Sequence, residues 1–378
     1  MSFLLNTPRA GLQSELNAFF DHALGEKPSS APTKSALCQA RGLLDPAALK
    51  SLITHSHQVF TQNSKVADWH GLRVLALDST VVRVPNVPEC VEAFGGMTTS
   101  CGKFRPLARA SVVLDVAREC FVDAFLGGYD EADRALAQHH LPRLGAGDLL
   151  VMDRGYPSRD LFQQLQAAGI PFCARIAERW TGVQRFKRSG LDEDIVELGC
   201  RTAPLPLRLV RVVLPSGASQ ILVTNLLNPA LIPAHFGELY HHRWRIEEAF
   251  KLIKARLDVE NWSGILPHTV RQDFYASLVR ANCAAVIALA ARPEEARLGH
   301  PPTNAKGWRL KLNRTLTLKS LKHFLSRLLL GIDWNEALEH LIARLRGPNA
   351  TERTRPDRHA PRKAGVKLAG FHPGYKAA

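Results

Sequence analysis

Residues 240–254 read Tyr240-His241-His242-Arg243-Trp244-Arg245-Ile246-Glu247-Glu248-Ala249-Phe250-Lys251-Leu252-Ile253-Lys254, and the spacing predicts one amphipathic helix. At about 100° per residue, Tyr240, Arg243, Glu247 and Lys254 fall at about 0°, 300°, 340° and 320°, a stripe roughly 60° wide. Leu239, Ile246, Phe250, Ile253 and Leu257 fall at roughly 220–280°, a separate apolar stripe. A phenol, a guanidinium, a carboxylate and an ammonium therefore line up beside a buried face. A solvated helix has no reason to gather those four types at its core edge, whereas a site that holds a metal ion and a phosphate backbone does. The neighbouring acid, Glu248, lies at about 80°, so Glu247 is the acid of the stripe. Trp244 lies off the apolar stripe, where it either covers a neighbouring domain or stacks on a base. His241 and His242 point about 100° apart and do not chelate one ion together.

Two aspartates lie far upstream of this helix. Leu72-Arg73-Val74-Leu75-Ala76-Leu77 leads into Asp78, and Leu149-Leu150-Val151-Met152 leads into Asp153. Each run is short, apolar and rich in Val and Leu, as a buried strand is. Each delivers a carboxylate towards the strand's C-terminal end, the edge that carries ligands in open α/β sheets. Two aspartates after strands and a glutamate on a helix supply three oxygen donors, the ligand type that hard divalent cations prefer.

These motifs resemble the DDE transposases of bacterial insertion sequences, in the group (insertion-sequence family four) whose third acid lies in a Tyr-x2-Arg-x3-Glu-x6-Lys signature. Tyr240, Arg243, Glu247 and Lys254 fit that spacing without a gap. Leu77-Asp78-Ser79-Thr80 is similar to the family's first motif, and Asp153-Arg154-Gly155-Tyr156 to its second. The order also fits, with 75 positions from Asp78 to Asp153 and 94 from there to Glu247. The similarity extends in outline over residues 35–330.

The resemblance implies a ribonuclease-H-like α/β fold: a mixed sheet flanked by helices, with an inserted all-β subdomain and helical N- and C-terminal regions. It implies DNA cleavage and strand transfer at the element's ends. Asp78, Asp153 and Glu247 would be both the catalytic residues and the ligands of two divalent ions, Mg²⁺ with Mn²⁺ as a substitute. Such pairs lie about 3.5–4 Å apart, one activating water or a 3′-hydroxyl and the other stabilising the leaving oxygen. Tyr240, Arg243, Trp244 and Lys254 would bind DNA, with Arg243 gripping phosphate bidentately and Lys254 acting as a point charge. The implied partners are double-stranded DNA and a second copy of the chain in the end complex, in the bacterial cytoplasm near the nucleoid. A non-joining nuclease of the same fold shares all three acids. A DNA-binding regulator without catalysis would need a damaged triad, and none is visible.

Composition agrees without discriminating. The 378 residues carry a net charge of +14, which suits a polyanionic partner. Residues 301–378 hold 16 Lys and Arg against 5 Asp and Glu, so most of the excess is C-terminal. The seven cysteines include no Cys-x2-Cys pair and suit a reducing compartment better than a disulfide framework. The N-terminus lacks the pattern of a signal peptide. The longest apolar run, Ala284 to Ala291, is too short to cross a bilayer. No Walker-type loop supports an ATP-driven mechanism.

The expected organisation is a helical region over 1–66, interrupted by the Gly25–Thr33 break, that either binds DNA or packs as a helix pair. A catalytic domain over 67–264 follows, with a β-rich insertion at 180–226 split by Pro215-Ser216-Gly217. Pro233 starts the glutamate-bearing helix. Helices continue over 265–346, and a basic tail over 347–378 is expected to be disordered.

Overall fold

The computed structural model describes the chain except for residues 7–10, 25–30, 65, 67, 199–203, 215–216, 293–308, 332 and 355–378. Most of the Gly25–Thr33 break, Pro215 and Ser216 of the expected turn, and the tail from 355 onward therefore lie outside the described residues.

Four helices come first: α1 (Ser2–Leu5), α2 (Leu12–Leu24), α3 (Lys34–Gly42) and α4 (Pro46–Asn63). Their starts follow local chemistry. Thr33 caps α3 by accepting from Ala36 N, and Asp45 caps α4 by accepting from Ala47 N, with Pro46 in the first turn. Nine strands follow: β1 (Arg73–Arg83), β2 (Gly96–Thr98), β3 (Phe104–Asp115), β4 (Cys120–Gly128), β5 (Asp148–Met152), β6 (Phe172–Arg175), β7 (Glu193–Glu197), β8 (Pro206–Val213) and β9 (Ser219–Thr224). They make one sheet in the order β2-β3-β1-β5-β6-β9-β8-β7, with β4 also paired to β3.

β1 and β3 are antiparallel, since Val84 N bonds Pro106 O and Val116 N bonds Val74 O. β1, β5 and β6 are parallel neighbours, while β6, β9, β8 and β7 pair antiparallel in turn. An antiparallel β4-β3-β1 half joined to a parallel β1-β5-β6 half makes the mixed sheet flanked by helices that the resemblance implies. The strands of the expected 180–226 insertion attach through β9 to β6, so the insertion extends the main sheet.

Helices among and after these strands are α5 (Pro88–Phe94), α6 (Asp133–Gln138), α7 (Arg159–Ala167), α8 (Thr181–Ser189), α9 (Pro233–His241) and α10 (Trp244–Lys251). α8 and β7 fall in the stretch read as hairpins alone. The chain divides into two compact units, one of Ala67–Val81 with Arg109–Lys251 and one of Met1–Val66, Val82–Ala108 and Leu252–Ala378.

The first unit contains most of the sheet. Its core gathers Leu75, Leu77, Leu150, Met152, Leu161, Phe162, Phe172 and Val223, all buried, with Phe162 stacked on Phe172 at 4.7 Å. Every residue of β5 is buried, which explains why its sequence is a continuous apolar run and not an alternating one. Beneath β3 and β4 lies a buried polar relay: His140 Nδ1 to Asp123 Oδ2 at 2.7 Å and His140 Nε2 to Ser111 Oγ at 2.9 Å. All three residues are fully buried, so this Ser-His-Asp arrangement cannot meet a substrate and serves as a pin for the chain after α6.

The second unit is built on α11 (Pro267–Ala291), against which α4 and α1 pack, together with α12 (Arg314–Leu330) and α13 (Trp334–Arg346). By length and composition α11 alone, among the described residues, would suffice to cross a membrane, but 72% of its apolar window is buried in the protein. Arg41 of α3 is buried, pairs with Asp273 at 3.0 Å and bonds Gln272 at 2.9 Å. In the segment 34–41 that cation is therefore spent on packing.

Two expectations need correction. The stretch 240–254 is not one uniform helix: α9 ends at His241, α10 begins at Trp244, and Leu252–Arg256 is a π-turn with Leu257 N bonded to Leu252 O. At the break the amides of His242, Arg243, Arg245 and Ile246 each bond three residues back, the tighter 3₁₀ pattern. No Gly or Pro marks the place. Side-chain bonds to other elements lie on either side of it instead. The apolar stripe nevertheless holds, with Leu239, Ile246, Phe250, Ile253 and Leu257 all buried. The second correction concerns the tail, which does not become irregular at Gly347. Pro348–Ala350 is a 3₁₀ turn, and β11 (Thr351–Thr354) pairs antiparallel with β10 (Arg309–Leu312).

Candidate active site

Parallel pairing of β1 with β5 runs from Arg73↔Asp148 to Leu77↔Met152. The next residues are Asp78 and Asp153. Two carboxylates 75 positions apart in sequence thus emerge side by side at the same level of the sheet. β1 does not end there but continues to Arg83, so Asp78 lies mid-strand and not at a strand end. What ends at Leu77 is the pairing with β5, which leaves Asp78 free to accept from its own neighbour, Ser79 N, at 2.8 Å.

The helical stretch closes the group. Tyr240, buried on the last turn of α9, donates its hydroxyl to Asp153 Oδ1 at 3.2 Å. Arg243, in the break, places one guanidinium nitrogen 3.1 Å from Glu247 Oε1 and another 3.5 Å from Asp78 Oδ2. Its side chain is 8% exposed, against 24% for Asp78 and 34% for Glu247. Arg245 reaches away to Glu119 at the β3–β4 turn, at 2.9 Å. Tyr240, Arg243 and Arg245, on either side of the break, thus each meet a different part of the fold: Asp153, Asp78 and Glu119. Arg243 Nε is buried and, among the described residues, has no hydrogen-bond partner.

Glu248 is exposed and pairs with Lys251, clear of the acids. Trp244 is 47% exposed, with the Arg243 guanidinium 6.0 Å from its ring. Lys254 belongs to the other unit, where its charged neighbours are Glu260 and Arg83, and burial holds its ammonium below the usual lysine range. Five of the seven sequence-predicted residues, namely Asp78, Asp153, Tyr240, Arg243 and Glu247, are thus joined by direct contacts or mutual charge.

Burial pushes the Asp78 carboxyl up to about 6. The Ser79 amide and Arg243 pull it down, and Asp153 and Asp133 push it further up. Burial, then Asp153, likewise raises the Tyr240 phenol, which stays protonated and donating. Asp78 and Glu247 therefore share one guanidinium, whose charge Asp153 also feels, and all donors are oxygen. The set fits a hard divalent cation in charge and in chemistry. In this conformation Arg243 lies between Asp78 and Glu247, and among the described residues no three acidic, His or Cys side chains are gathered closely enough to cage an ion. Asp78, Asp153 and Glu247 would hold it by exchanging the guanidinium for the metal.

Residues 69–283 match the family described as the transposase DDE domain, over half of the chain. The chain belongs to that family. Domains of this kind use divalent metal ions. Among curated relatives, the transposase InsG of insertion sequence element IS4 from Escherichia coli K12 is 25% identical over 283 residues, 68% of this chain and 61% of that protein. The aligned part thus spans about three-fifths of that relative's length. Among solved structures, the piggyBac transposase in a synaptic complex with hairpin DNA aligns with 92% of the chain and 76% of its own, at 11% identity and a TM-score of 0.44. One feature of this DDE domain has no sequence signal of its own. Asp133, from α6, accepts from Ser79 Oγ at 2.6 Å beside Asp78. An acid in the first turn of a helix reads as an ordinary end charge.

Proposed function

We propose that this chain is an insertion-sequence transposase that cleaves DNA at the element's ends and joins the freed ends to a target, using Mg²⁺. The observation that carries the reading is the side-by-side exit of Asp78 and Asp153 from the last paired residues of β1 and β5, with Glu247 linked to Asp78 through Arg243 and Tyr240 bonded to Asp153. Asp78, Asp153 and Glu247 hold the metal ions. When bound, such ions activate the attacking water or 3′-hydroxyl and stabilise the leaving oxygen of an in-line displacement at phosphorus. Tyr240 orients Asp153 through its hydroxyl. Arg243, once released from the two acids, offers a planar fork and its unpartnered Nε to a phosphate of the DNA. Lys254 supplies a further positive charge to the backbone, and the exposed Trp244 offers a face to an unstacked base. Double-stranded DNA is the substrate, two copies act in the end complex, and the setting is the bacterial cytoplasm.

The test is incubation of the purified protein with DNA carrying the inverted repeats that flank its gene. Cleavage and joining with Mg²⁺ or Mn²⁺, lost in EDTA, is the expected result. Cleavage without joining would make the chain a nuclease.

Two further outcomes follow from the site and the charge. A cation needs Asp78 ionised, so protons compete with it as pH falls through about 6. Mn²⁺ affinity measured by calorimetry should be level above that pH and weaken below it, approaching about tenfold per pH unit. A flat profile down to pH 5 would remove Asp78 from the ligand set. The tail tests the electrostatic contribution. Truncation before Arg355 keeps β10–β11 and removes Arg355, Arg358, Arg362, Lys363, Lys367 and Lys376 against Asp357. For every phosphate that the removed side chains neutralise, the slope of log K against log salt should fall by about 0.9, without changing which ends are recognised. An unchanged slope would make the tail a solvated appendage.

A further inference from the structure

We propose that Asp133 is a positioning residue for the acid site, holding Asp78 through Ser79 and abutting the Asp153–Tyr156 turn at Gly155. The inference rests on the phosphoryl-transfer reading above and adds a fourth carboxylate to it.

Three observations carry it. Asp133 Oδ1 receives the Ser79 hydroxyl at 2.6 Å, and Ser79's own amide holds Asp78 Oδ1 at 2.8 Å. One residue thus gives one bond to Asp133 from its side chain and another to Asp78 from its backbone. Second, Arg109 on β3 donates to the same Asp133 oxygen at 3.2 Å and to Tyr129 O at 3.1 Å. That guanidinium offsets the Asp133 charge. Third, the other oxygen, Asp133 Oδ2, lies 3.3 Å from where a side chain on Gly155 would begin. Asp133 thereby lies against the turn two residues beyond Asp153, close enough that a Cβ on Gly155 would press on its carboxylate. Both strand-borne acids are therefore braced by one side chain, Asp78 by hydrogen bonds and Asp153 through its turn.

The brace is rigid. Just past the C-terminal end of α6, His140 is bonded to Asp123 and Ser111, buried on β4 and β3. The start of α6 is thus tied to β1 and β3 through Asp133, and the chain past its other end to β4 and β3 through His140. Partners that orient metal-binding carboxylates cost about 10–100-fold in affinity or activity when removed.

The experiment compares wild type, Asp133→Ala, Ser79→Ala, their double variant and Asp133→Asn. Calorimetric Mn²⁺ affinity, the single-turnover rate on DNA bearing the element's ends, and DNA affinity are measured for each. The expected result is a loss of about 10–100-fold in Mn²⁺ affinity and in rate for either alanine variant, at unchanged DNA affinity. The double variant should be no worse than either single, because the two act as one chain. Asp133→Asn, which keeps an oxygen for Ser79 and Arg109, should recover most of the loss. A role in stability alone would lower the melting temperature and leave the Mn²⁺ affinity of the folded protein at the wild-type value, which overturns the proposal. So would multiplicative losses in the double variant, or no recovery with asparagine. If Asp133→Ala does not fold, Ser79→Ala and Asp133→Asn decide alone. Wild type that neither binds Mn²⁺ nor cleaves would defeat the functional reading. Wild type that does both, matched by Asp133→Ala, defeats only the role of Asp133.

Discussion

Asp78→Asn, Asp153→Asn and Glu247→Gln should each lower single-turnover DNA cleavage by on the order of 10⁴ or more, with binding of the ends retained. The substitutions keep side-chain volume and remove a ligand charge, so the fold has no reason to fail. Asp78 is already partly desolvated, with its carboxyl pushed up to about 6, and a neutral amide there removes repulsion from Asp153 and Asp133. Because the three acids act as one cluster, any double variant should look like a single one. Glu248→Ala should cleave normally, since Glu248 points to solvent and bonds Lys251. An inactive Glu248→Ala beside an active Glu247→Gln would show that the third acid has been misassigned.

Arg243 should give the second-largest effect, and a double one. Its guanidinium is the shared counter-charge of Asp78 and Glu247, so Arg243→Ala leaves both carboxylates uncompensated. The acids are partly exposed, which sets the cost between that of a surface pair and a buried one, about 2 kcal/mol. At roughly 2–4 °C per kcal/mol in a protein of this size, the melting temperature should fall by about 4–8 °C. Saturating Mn²⁺ should recover more stability in the variant than it adds to wild type, because the cation then takes the place of the lost guanidinium. DNA cleavage should fall by about 10²–10³, the usual cost of removing one positioned charge donor. Arg243→Lys should not rescue, because an ammonium cannot bridge two acids or grip a phosphate with a planar fork. A destabilised Arg243→Ala that still joins ends at the wild-type rate would confine Arg243 to the fold.

That Asp78, Asp153 and Glu247 are brought together was legible because each sits where sequence pattern and chemistry coincide. β5 is buried on both faces, so its run is unbroken Val, Leu and Met, and the first polar residue after it is Asp153. β1 pairs with β5 only as far as Leu77, which is why the carboxylate after Leu77 leaves the pairing beside Asp153 although the strand itself runs on to Arg83. The apolar face of 239–257 survived the helix break because burial tolerates a local change of pitch. What failed was the assumption of constant pitch. The break at His242–Arg243 and the π-turn at Leu252–Arg256 contain no Gly or Pro, and tertiary bonds from Tyr240, Arg243 and Arg245 accompany the first of them. The pairing of Arg243 with Glu247 follows from their i, i+4 spacing, but its extension to Asp78 requires the fold. Asp133 was invisible for the same reason, as its partners Ser79 and Arg109 come from two other strands. α8, β2 and the β10–β11 pair are short, and their sequences are too polar or too brief to carry a period.

Titration of the purified, metal-free protein with Mn²⁺ by calorimetry tests the central claim most directly, with Glu248→Ala as the control. Wild type and Glu248→Ala should bind alike, while Asp78→Asn, Asp153→Asn and Glu247→Gln should each weaken binding by at least about tenfold. Wild-type Mn²⁺ affinity in the combined Asp78→Asn, Asp153→Asn, Glu247→Gln variant would contradict the account, because the acids that leave β1, β5 and α10 together would then hold no metal.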